Sequence, residues 1–309
     1  MPEKEAPISN RHAEKVLMVR PRDFRCNPQT ALDNHFQSIE FSFSRDEMEQ
    51  QVNEEFNHYV SLLHEAGIET IIFNQSDSND TPDAIFPNNW FSTHQDAGMV
   101  LYPMKAPNRR TERREDIIAW LSRSYSRVID LSPFELQEKF LEGTGSLVLD
   151  QFHRVAYAVI SDRTHPRLVI EWAKKMEYSV NLFSAHDKNH NPIYHTNVVL
   201  CLGNEFAMIC PEAINSDAER KNILESLKKI RPNIIELTLE QVYHFAANGL
   251  QLSNKAGTPV FILSKNGWDS LNQSQRDKIK KLTQVVTPDL RMIEQLGGGS
   301  ARCMVAELY

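Results

Sequence analysis

The chain has 309 residues, of which 41% are hydrophobic and 24% charged, a composition typical of a folded globular protein rather than a disordered one. Its 41 acidic and 34 basic residues give a net charge of −7 without a long run of either sign. That balance argues against a protein that binds nucleic acid or adheres to anionic membranes. At roughly 150 residues per domain, length alone suggests about two domains.

The sequence also bears on the compartment and on metal content. No stretch approaches the roughly 18 apolar residues of a membrane-spanning helix, and the polar N-terminal segment lacks the apolar core of a secretory signal. The four cysteines, Cys26, Cys201, Cys210 and Cys303, form no C-x-x-C pair and are too few for a disulfide framework. We therefore expect a cytoplasmic protein with reduced thiols and with neither a metal nor an organic cofactor.

Short strands and amphipathic helices alternate along the chain. The strands are rich in β-branched or aromatic residues and are bounded by Gly, Pro, Asn or Asp, and capping boxes mark several helix starts. The predicted elements are, in chain order, strand Lys15–Arg20, helix Ser44–Ala66, strands Ile68–Phe73 and Gly98–Met104, helix Arg109–Ser124, strands Arg127–Leu131, Leu147–Asp150 and Arg154–Ile160, helix Pro166–Tyr178, strands Tyr178–Phe183, Asn197–Leu202 and Phe206–Cys210, helix Ser216–Ile230, strand Asn233–Leu237, a helix beginning at Thr238, strands Gly249–Ser253 and Pro259–Leu263, helix Ser270–Leu282, and strands Gln284–Thr287 and Cys303–Leu308.

The order of these elements repeats. Three consecutive segments, Ser146–Phe183, Asn197–Leu237 and Gly249–Thr287, follow the order strand–strand–helix–strand, and a fourth runs from Asn89 to Leu131. The two chain ends, joined, make a fifth copy, with a period of about 50 to 60 residues. Because a closed ring removes exposed sheet edges, the repeat predicts an α/β fold of five units in one domain over residues 1–309. The alternative is a generic α/β chain whose elements alternate by chance.

One polar residue precedes the first strand of each unit: Asp83, Glu142, His195, Asn248 and Cys303. If the first strands surround a central axis, these residues converge at one end of it. A thiol, an imidazole and carboxylates in one pocket are the components of a covalent hydrolase. The carboxylates further predict a substrate with N–H donors, most simply a guanidinium or urea group.

Cys303 follows the flexible Gly297–Gly299 segment, and the neighbouring Arg302 adds a positive charge that favours the thiolate. Taken alone, Cys303 fits slightly better as a small buried side chain that opens a terminal strand. Taken alone, His195 also fits a structural histidine and Glu142 a surface acid at a helix end. A functional site is favoured because Cys303, His195 and Glu142 occupy equivalent positions in the repeat.

With these motifs in place, the sequence resembles the guanidino-group-modifying enzymes of the pentein fold. This family includes arginine deiminases, dimethylarginine dimethylaminohydrolases, agmatine deiminases, amidinotransferases and citrulline ureidase. The resemblance extends from the Lys15–Arg20 strand to Leu308, and the order and spacing of its short motifs are specific. It implies a five-bladed α/β propeller, in agreement with the five units of the repeat.

The resemblance also implies roles for individual residues. Cys303 corresponds to the nucleophile and His195 to the general acid–base. Glu142 corresponds to the carboxylate that orients the histidine and holds a substrate nitrogen, and Asp83 to the second substrate-binding carboxylate. These four roles are expectations from the family pattern.

Three further positions match family sites for the amino-acid head group. Arg163 in the SDRTHP segment and Arg109 in the APNRR segment correspond to arginines that bind the α-carboxylate. Asp77 corresponds to an acid that reaches the α-amine. Two arginines and an acid suit a free amino acid.

The sequence departs from the deiminase pattern at two positions. Asn197 stands two residues after the histidine, where deiminases have an acid, and Pro82 rather than a second acid accompanies Asp83. An Asn amide donates to a neutral ureido oxygen, which a carboxylate would repel. The PDAIFPNNW and GGGSARC segments most resemble the citrulline ureidase branch.

We therefore predict hydrolysis of citrulline to ornithine, carbon dioxide and ammonia through a thioester on Cys303. The first alternative is a deiminase or dimethylaminohydrolase of arginine or methylarginine. An amidinotransferase and a non-catalytic amino-acid-binding protein are the others. The expected partner is a small amino-acid substrate, and the sequence is also compatible with a homo-oligomer.

Overall fold

A computed structural model describes residues 12–31, 33–34, 36–37, 43–96 and 98–309. Within them lie fifteen strands in five three-stranded sheets. The strands are β1 (Lys15–Arg20), β2 (Glu69–Asn74), β3 (Phe91–Thr93), β4 (Gly98–Leu101), β5 (Arg127–Asp130), β6 (Val148–Asp150), β7 (Val155–Val159), β8 (Ser179–Phe183), β9 (Leu200–Leu202), β10 (Phe206–Ile209), β11 (Asn233–Glu236), β12 (Leu250–Ser253), β13 (Pro259–Ile262), β14 (Gln284–Val286) and β15 (Ala306–Leu308).

The helices connect the second and third strand of each sheet or lie near the pocket. They are α1 (Arg45–Glu65), α2 (Pro107–Arg110), α3 (Glu115–Leu121), α4 (Gly143–Ser146), α5 (Pro166–Met176), α6 (Asp217–Ile230), α7 (Leu239–Tyr243), α8 (Lys265–Ser270), α9 (Gln273–Lys280) and α10 (Arg291–Gly297). Short 3-10 helices cover Pro87–Asn89, Ser132–Gln137, Thr196–Val198 and Pro211–Ala213.

All five sheets share one construction. In the second sheet, β3 pairs antiparallel with β4, and β4 pairs in parallel with β5 after a helical crossover. The third, fourth and fifth sheets repeat this pattern with β6–β8, β9–β11 and β12–β14. The first sheet joins the two ends of the chain, since β15 pairs antiparallel with β1 in the register Lys15 to Leu308 and β1 pairs in parallel with β2.

The first strands of the sheets, β3, β6, β9, β12 and β15, lie on the inside of the ring. Contacts join β15 to β3, β6 to β9, and β9 to β12. The fold is a five-bladed α/β propeller, and the predicted fold class is confirmed. Closure by the two chain ends pairs strands that would otherwise be exposed sheet edges. That residues 1–309 form one domain stays a prediction.

Helix α5 illustrates how each crossover helix is held. Leu168, Val169, Trp172 and Met176 recur at helical spacing and are buried against its sheet. Each such side chain contributes about 1.5–3 kcal/mol when fully removed from water. None of the helices in the described part of the chain is both long and apolar enough to cross a bilayer.

Most predicted helices are present, with two corrections. Helix α1 begins at the predicted Ser44–Glu47 capping box. The single helix predicted over Arg109–Ser124 is wrong: it divides into α2 and α3, because the chain turns at Thr111–Arg114. The predicted Ser270–Leu282 helix begins only after Asn272, whose side chain caps α9.

The ends of two inner strands also differ from prediction. The strand expected from Cys303 begins only at Ala306, and the Cys303 N–H donates to the Ser300 carbonyl at 2.9 Å in a turn. Asn197 lies in a 3-10 helix ahead of β9 rather than in the strand. In a turn or short helix, a side chain is freed from the alternation of a strand and can point along the axis.

Candidate active site

Cys303 and His195 line a small pocket of about 20 Å³ at one end of the ring, and both are almost fully buried. The lining comes from several sheets and from the loop before α1. The lining residues are Thr30, Asn34, Asp83, Phe86, Asn89, Arg109, Arg163, Tyr194, His195, Gly297, Gly298, Gly299 and Cys303.

Glu142 lies behind His195 and orients it. The His195 Nε2 and the Glu142 Oε2 are 2.9 Å apart, and the backbone N–H of Lys105 donates to Glu142 Oε1 at 3.0 Å. Because a carboxylate only accepts, the Nε2 carries the proton and the Nδ1 keeps a lone pair. Gly145 makes room for the ring, since a Cβ there would lie 2.8 Å from His195 Nδ1.

The charges of this pair follow from its surroundings. Burial raises the pKa of Glu142, but the Arg163 guanidinium and the hydrogen bond from His195 outweigh burial and lower that pKa to about 2. Burial lowers the pKa of His195, although Glu142 acts in the opposite direction. Near neutral pH, the pair therefore consists of a carboxylate and a neutral imidazole, which can accept a proton.

Asp83 is buried with one carboxylate oxygen free. Its Oδ2 accepts hydrogen bonds from Asn27 Nδ2 at 2.8 Å and from Thr30 Oγ1 at 3.0 Å, and Arg109 Nε lies 3.8 Å away. Its Oδ1 is buried and has no hydrogen-bond partner among the described residues. An unpaired buried carboxylate oxygen is costly unless a ligand donates to it, so Asp83 suits a substrate with N–H groups.

Arg109 lies in the pocket wall, and most of its N–H donors bind protein partners. Its Nε and one terminal nitrogen hold the Glu112 carboxylate at 2.9 Å each. Other donors bind the Asn89 Oδ1 at 2.9 Å and the Phe86 carbonyl at 3.1 Å. Arg109 lines the pocket as predicted and already pairs with the buried Glu112, and its binding of a substrate α-carboxylate stays a prediction. Through its bonds to Asn89 and Phe86, Arg109 also stabilises the Asp83–Asn89 segment.

Arg163 also lines the pocket. Its guanidinium donates to Asp33 and to the Thr30 carbonyl, and it packs over the Tyr194 ring at 4.7 Å. One terminal nitrogen lies 3.6 Å from Glu142 Oε2. Arg163 is therefore in the predicted place, and its binding of an α-carboxylate stays a prediction.

Asp77 lies outside the pocket. Its side chain is 78% exposed and pairs with Arg22 in a surface cleft that Arg20 and Arg114 also line. The expectation that Asp77 reaches a substrate amine is therefore corrected. The chain between Asp77 and Asp83 turns away from the axis, which spacing along the sequence does not reveal.

Two amides face the sulfur of Cys303. Asn248 Nδ2 lies 3.3 Å and Asn197 Nδ2 3.5 Å from Sγ. Arg302, which the sequence suggested as a stabilising charge, points elsewhere and binds the Val305 carbonyl at 3.0 Å and Glu307 at 2.8 Å. The immediate surroundings of the sulfur are thus polar but uncharged.

Comparison with known proteins identifies the family. A family model described as "N,N dimethylarginine dimethylhydrolase, eukaryotic" matches residues 20–309. The chain belongs to this family. Its members are hydrolases of the guanidino group, so the chain is a hydrolase that acts on a C–N bond of a free amino acid. No curated protein matches the chain in sequence.

Solved structures of other proteins share this fold. The N-terminal domain of ArgZ, described as an arginine dihydrolase from Cyanobacteria, is 18% identical over 95% of this chain and 97% of its own, with a TM-score of 0.72. A variant of AgrE in complex with L-arginine is 18% identical over 96% of this chain and 40% of its own, with a TM-score of 0.74. A dimethylarginine dimethylaminohydrolase adduct with S-methyl-L-thiocitrulline is 17% identical over 96% and 100%, with a TM-score of 0.67. At these identities, the likeness shows the fold alone.

The remaining cysteines differ from Cys303 in their surroundings. Burial raises the pKa of Cys201 to about 12 and that of Cys210 to about 11, so both stay protonated near neutral pH. Cys26 lies in the loop before α1, and burial raises its pKa as well. Among the described residues, no three His, Cys, Asp or Glu side chains are grouped to hold a metal ion.

The sequence analysis assigned no role to several residues that lie in the pocket or beside it. Asn248 precedes the first strand of the Gly249–Thr287 unit, and that equivalent position was the available signal. Asn89 and Tyr194 each lie close in sequence to a predicted element or residue of the site. Glu112 lies three residues after its partner Arg109, and that spacing was an available signal. Asp33 carries no local signal, because its partner Arg163 is distant in sequence.

Proposed function

We propose that the protein hydrolyses a C–N bond in the guanidino group of free arginine or an N-methylated arginine, with Cys303 as the nucleophile. The observation that carries the proposal is the pocket that Cys303, His195 and Asp83 line together, with Glu142 bound to the imidazole. Nucleophile, base, orienting acid and substrate-binding acid are then all present.

The reaction starts when the Cys303 sulfur attacks the central carbon of the guanidino group. The free Asp83 Oδ1 accepts an N–H of the bound group and holds that carbon over the sulfur. His195 accepts the thiol proton at Nδ1 and passes it to the departing nitrogen. The S–C bond forms, the C–N bond breaks, and ammonia or an alkylamine leaves with the proton.

A second step releases the product. His195, neutral again, accepts a proton from water while the water oxygen bonds to the same carbon. The S–C bond then breaks and the sulfur departs as a thiolate, leaving a ureido group on the amino acid. Glu142 stabilises the transient imidazolium in both steps, because its carboxylate stays ionised beside Nε2.

The choice of arginine or methylarginine rests on the family and on the neighbouring structures. The family model is named for dimethylarginine, and the AgrE variant is in complex with L-arginine. These findings favour the first alternative of the sequence analysis over citrulline. The Asp83 carboxylate is consistent with a cationic guanidinium.

Citrulline is the second candidate, and the uncharged surroundings of the sulfur favour it. Asn197 and Asn248 place amides rather than carboxylates at Sγ, and the Asn89 amide lines the pocket. Amide N–H groups donate to a ureido oxygen, whereas carboxylates would repel it. On citrulline, the first step would release ammonia and the second would leave a carbamate on the side-chain nitrogen, which then breaks down to ornithine and carbon dioxide.

A substrate panel tests both candidates. The purified protein is incubated separately with arginine, monomethylarginine, asymmetric dimethylarginine, citrulline and agmatine, and the products are identified by mass spectrometry. Citrulline formed from arginine or a methylarginine would support the proposal. Ornithine from citrulline, with arginine inert, would support the second candidate, and turnover of agmatine alone would contradict both.

A further inference from the structure

Asn248 lies in the fifth blade, and its side chain makes hydrogen bonds to three partners. It is almost fully buried at the turn that precedes β12. Its Oδ1 accepts the backbone N–H of Arg302 at 3.1 Å. Its Nδ2 donates to the Asn197 carbonyl at 3.1 Å and to the Cys303 sulfur at 3.3 Å.

These partners fix the orientation of the Asn248 amide. A backbone N–H only donates and a backbone carbonyl only accepts, so rotating the amide by 180° would break both bonds. An N–H of Asn248 must therefore point at the sulfur. The reverse bond, from the Cys303 thiol to Asn248 Oδ1, is longer at 3.6 Å, and that oxygen already accepts from Arg302.

Among the described residues, the side-chain donors within hydrogen-bond distance of the sulfur are amides. Asn197 is more distant at 3.5 Å, and its Oδ1 has no partner that would fix its orientation. Arg302 is neutralised by Glu307 and does not donate to the sulfur. Asn248 is thus the firmly oriented donor to the reacting atom.

We propose that Asn248 is a further catalytic residue, whose amide N–H stabilises the negative charge that forms on the Cys303 sulfur when it attacks and when it departs. A hydrogen bond to an anion is stronger than one to a neutral group, so this contact strengthens as the sulfur gains negative charge. The inference rests on the proposed function, because it takes Cys303 as the nucleophile. Asn248 does not line the pocket, so its effect falls on kcat and leaves KM nearly unchanged.

Two substitutions of Asn248 test its amide N–H separately from the rest of its side chain. Asn248→Ala removes the donor, and we expect kcat to fall about 10- to 100-fold, as for loss of a hydrogen bond to a charged group. Asn248→Asp keeps the size and the acceptor for the Arg302 N–H but places an anionic oxygen beside the sulfur. We expect Asn248→Asp to be slower than Asn248→Ala, with KM within about twofold of wild type in both.

Alkylation of Cys303 measures the same effect without a substrate. Iodoacetamide reacts with the thiolate, and mass spectrometry of the Cys303 peptide gives its rate at pH 7. The rate should fall in the order wild type, Asn248→Ala, Asn248→Asp. Thermal unfolding shows whether each variant is folded, and the isosteric Asn248→Asp keeps the test valid if Asn248→Ala is unfolded.

Asn254→Ala is the matched control, at the other end of β12. The Asn254 side chain also makes three hydrogen bonds, to the backbone of Ala66, Ala256 and Thr258, but it is far from the pocket. Its loss should lower Tm and leave kcat and alkylation unchanged. An Asn248→Asp variant that alkylates as fast as wild type would overturn the inference. If the wild type turns over nothing in the panel, the proposed function fails, while the alkylation order still tests Asn248.

Discussion

The two sides of the pocket are built from different chemistry. On one side, Asp83 and Glu142 are buried carboxylates surrounded by arginines and hydrogen-bond donors. On the other, Cys303 faces the amides of Asn197 and Asn248. Charges that are buried together must be paired, whereas neutral amides can surround a sulfur without fixing its charge in advance.

In the proposed reaction, the charged side of the pocket binds the substrate and the amide side holds the attacking sulfur. The charged side leaves one carboxylate oxygen of Asp83 free for the substrate, and its other charges are bound to protein partners. The amide side leaves the sulfur free to become an anion and to return to a neutral thioether-like state during the reaction. A carboxylate beside Cys303 would oppose the first change, and a cation would oppose the second.

The largest effect is expected on the amide side, for Cys303→Ala. Without the nucleophile, kcat should fall at least about 10⁴-fold on any substrate of the panel, as for other enzymes that lose a catalytic nucleophile. Cys26→Ala is the control, since Cys26 lies outside the pocket and bonds only weakly, to Gln37 at 3.5 Å. A Cys303→Ala variant as active as Cys26→Ala would exclude the covalent mechanism.

On the charged side, Glu142→Gln should lower kcat about 10²- to 10⁴-fold. The Lys105 N–H only donates, so the introduced amide turns its oxygen to Lys105 and its NH₂ to His195 Nε2. The imidazole then carries its proton on Nδ1, and the lone pair that accepts the thiol proton is lost. Steady-state kinetics check this, and a Glu142→Gln variant with wild-type kcat would contradict the assigned tautomer.

Glu142 also predicts how stability depends on pH. Its pKa falls from an ordinary 4.5 to about 2 in the folded protein, so its stabilising contribution is present above pH 4.5 and is lost as the pH falls toward 2. Between pH 5 and pH 3, the wild type should lose about 2 kcal/mol more free energy of unfolding than Glu142→Gln. Urea denaturation at both pH values measures the difference, and equal losses would show that Glu142 titrates normally.

A smaller effect on the charged side is expected for Asp83→Asn. The introduced amide keeps the size of the side chain but removes the anion, so kcat/KM for arginine should fall about 10- to 100-fold. For citrulline the fall should be smaller, because a ureido group carries no positive charge. Asp80→Asn, at an exposed acid that pairs with Arg25, is the control and should keep wild-type kinetics.

The smallest effect is expected for Asp77→Ala. Asp77 lies on the surface beside Arg22, so kcat and KM should both stay within about twofold of wild type, as for most exposed substitutions. A tenfold rise in KM for an amino acid, with no rise for a substrate lacking the α-amine, would restore the role that the sequence suggested.

The repeat made much of the site predictable. The polar residue ahead of each first strand is placed by the propeller at one end of the axis, so Cys303, His195, Glu142 and Asp83 could be selected together. The same logic named Asn248 as an equivalent position but gave it no role. Asp77 failed because its assignment depended on distance along the chain rather than on a place in the repeat.

Arg109 and Arg163 show why other parts could not be predicted. Both were placed correctly in the pocket wall, but whether they are free to bind substrate depends on Glu112 and Asp33. Asp33 lies 130 residues from Arg163 in sequence, and no local pattern connects them. Whether a buried charge is available to a ligand depends on its neighbours in space.

The sequence by itself determined the order of strands and helices, the five-unit ring and the residue types that reach its axis, because these depend on periodicity and on local turn chemistry. Only the tertiary structure decided which polar groups keep a free atom toward the pocket and which are bound to protein. The physical reason is that those hydrogen bonds join different blades, as between Glu142 and His195 or Asn248 and Cys303, and form only when the ring closes.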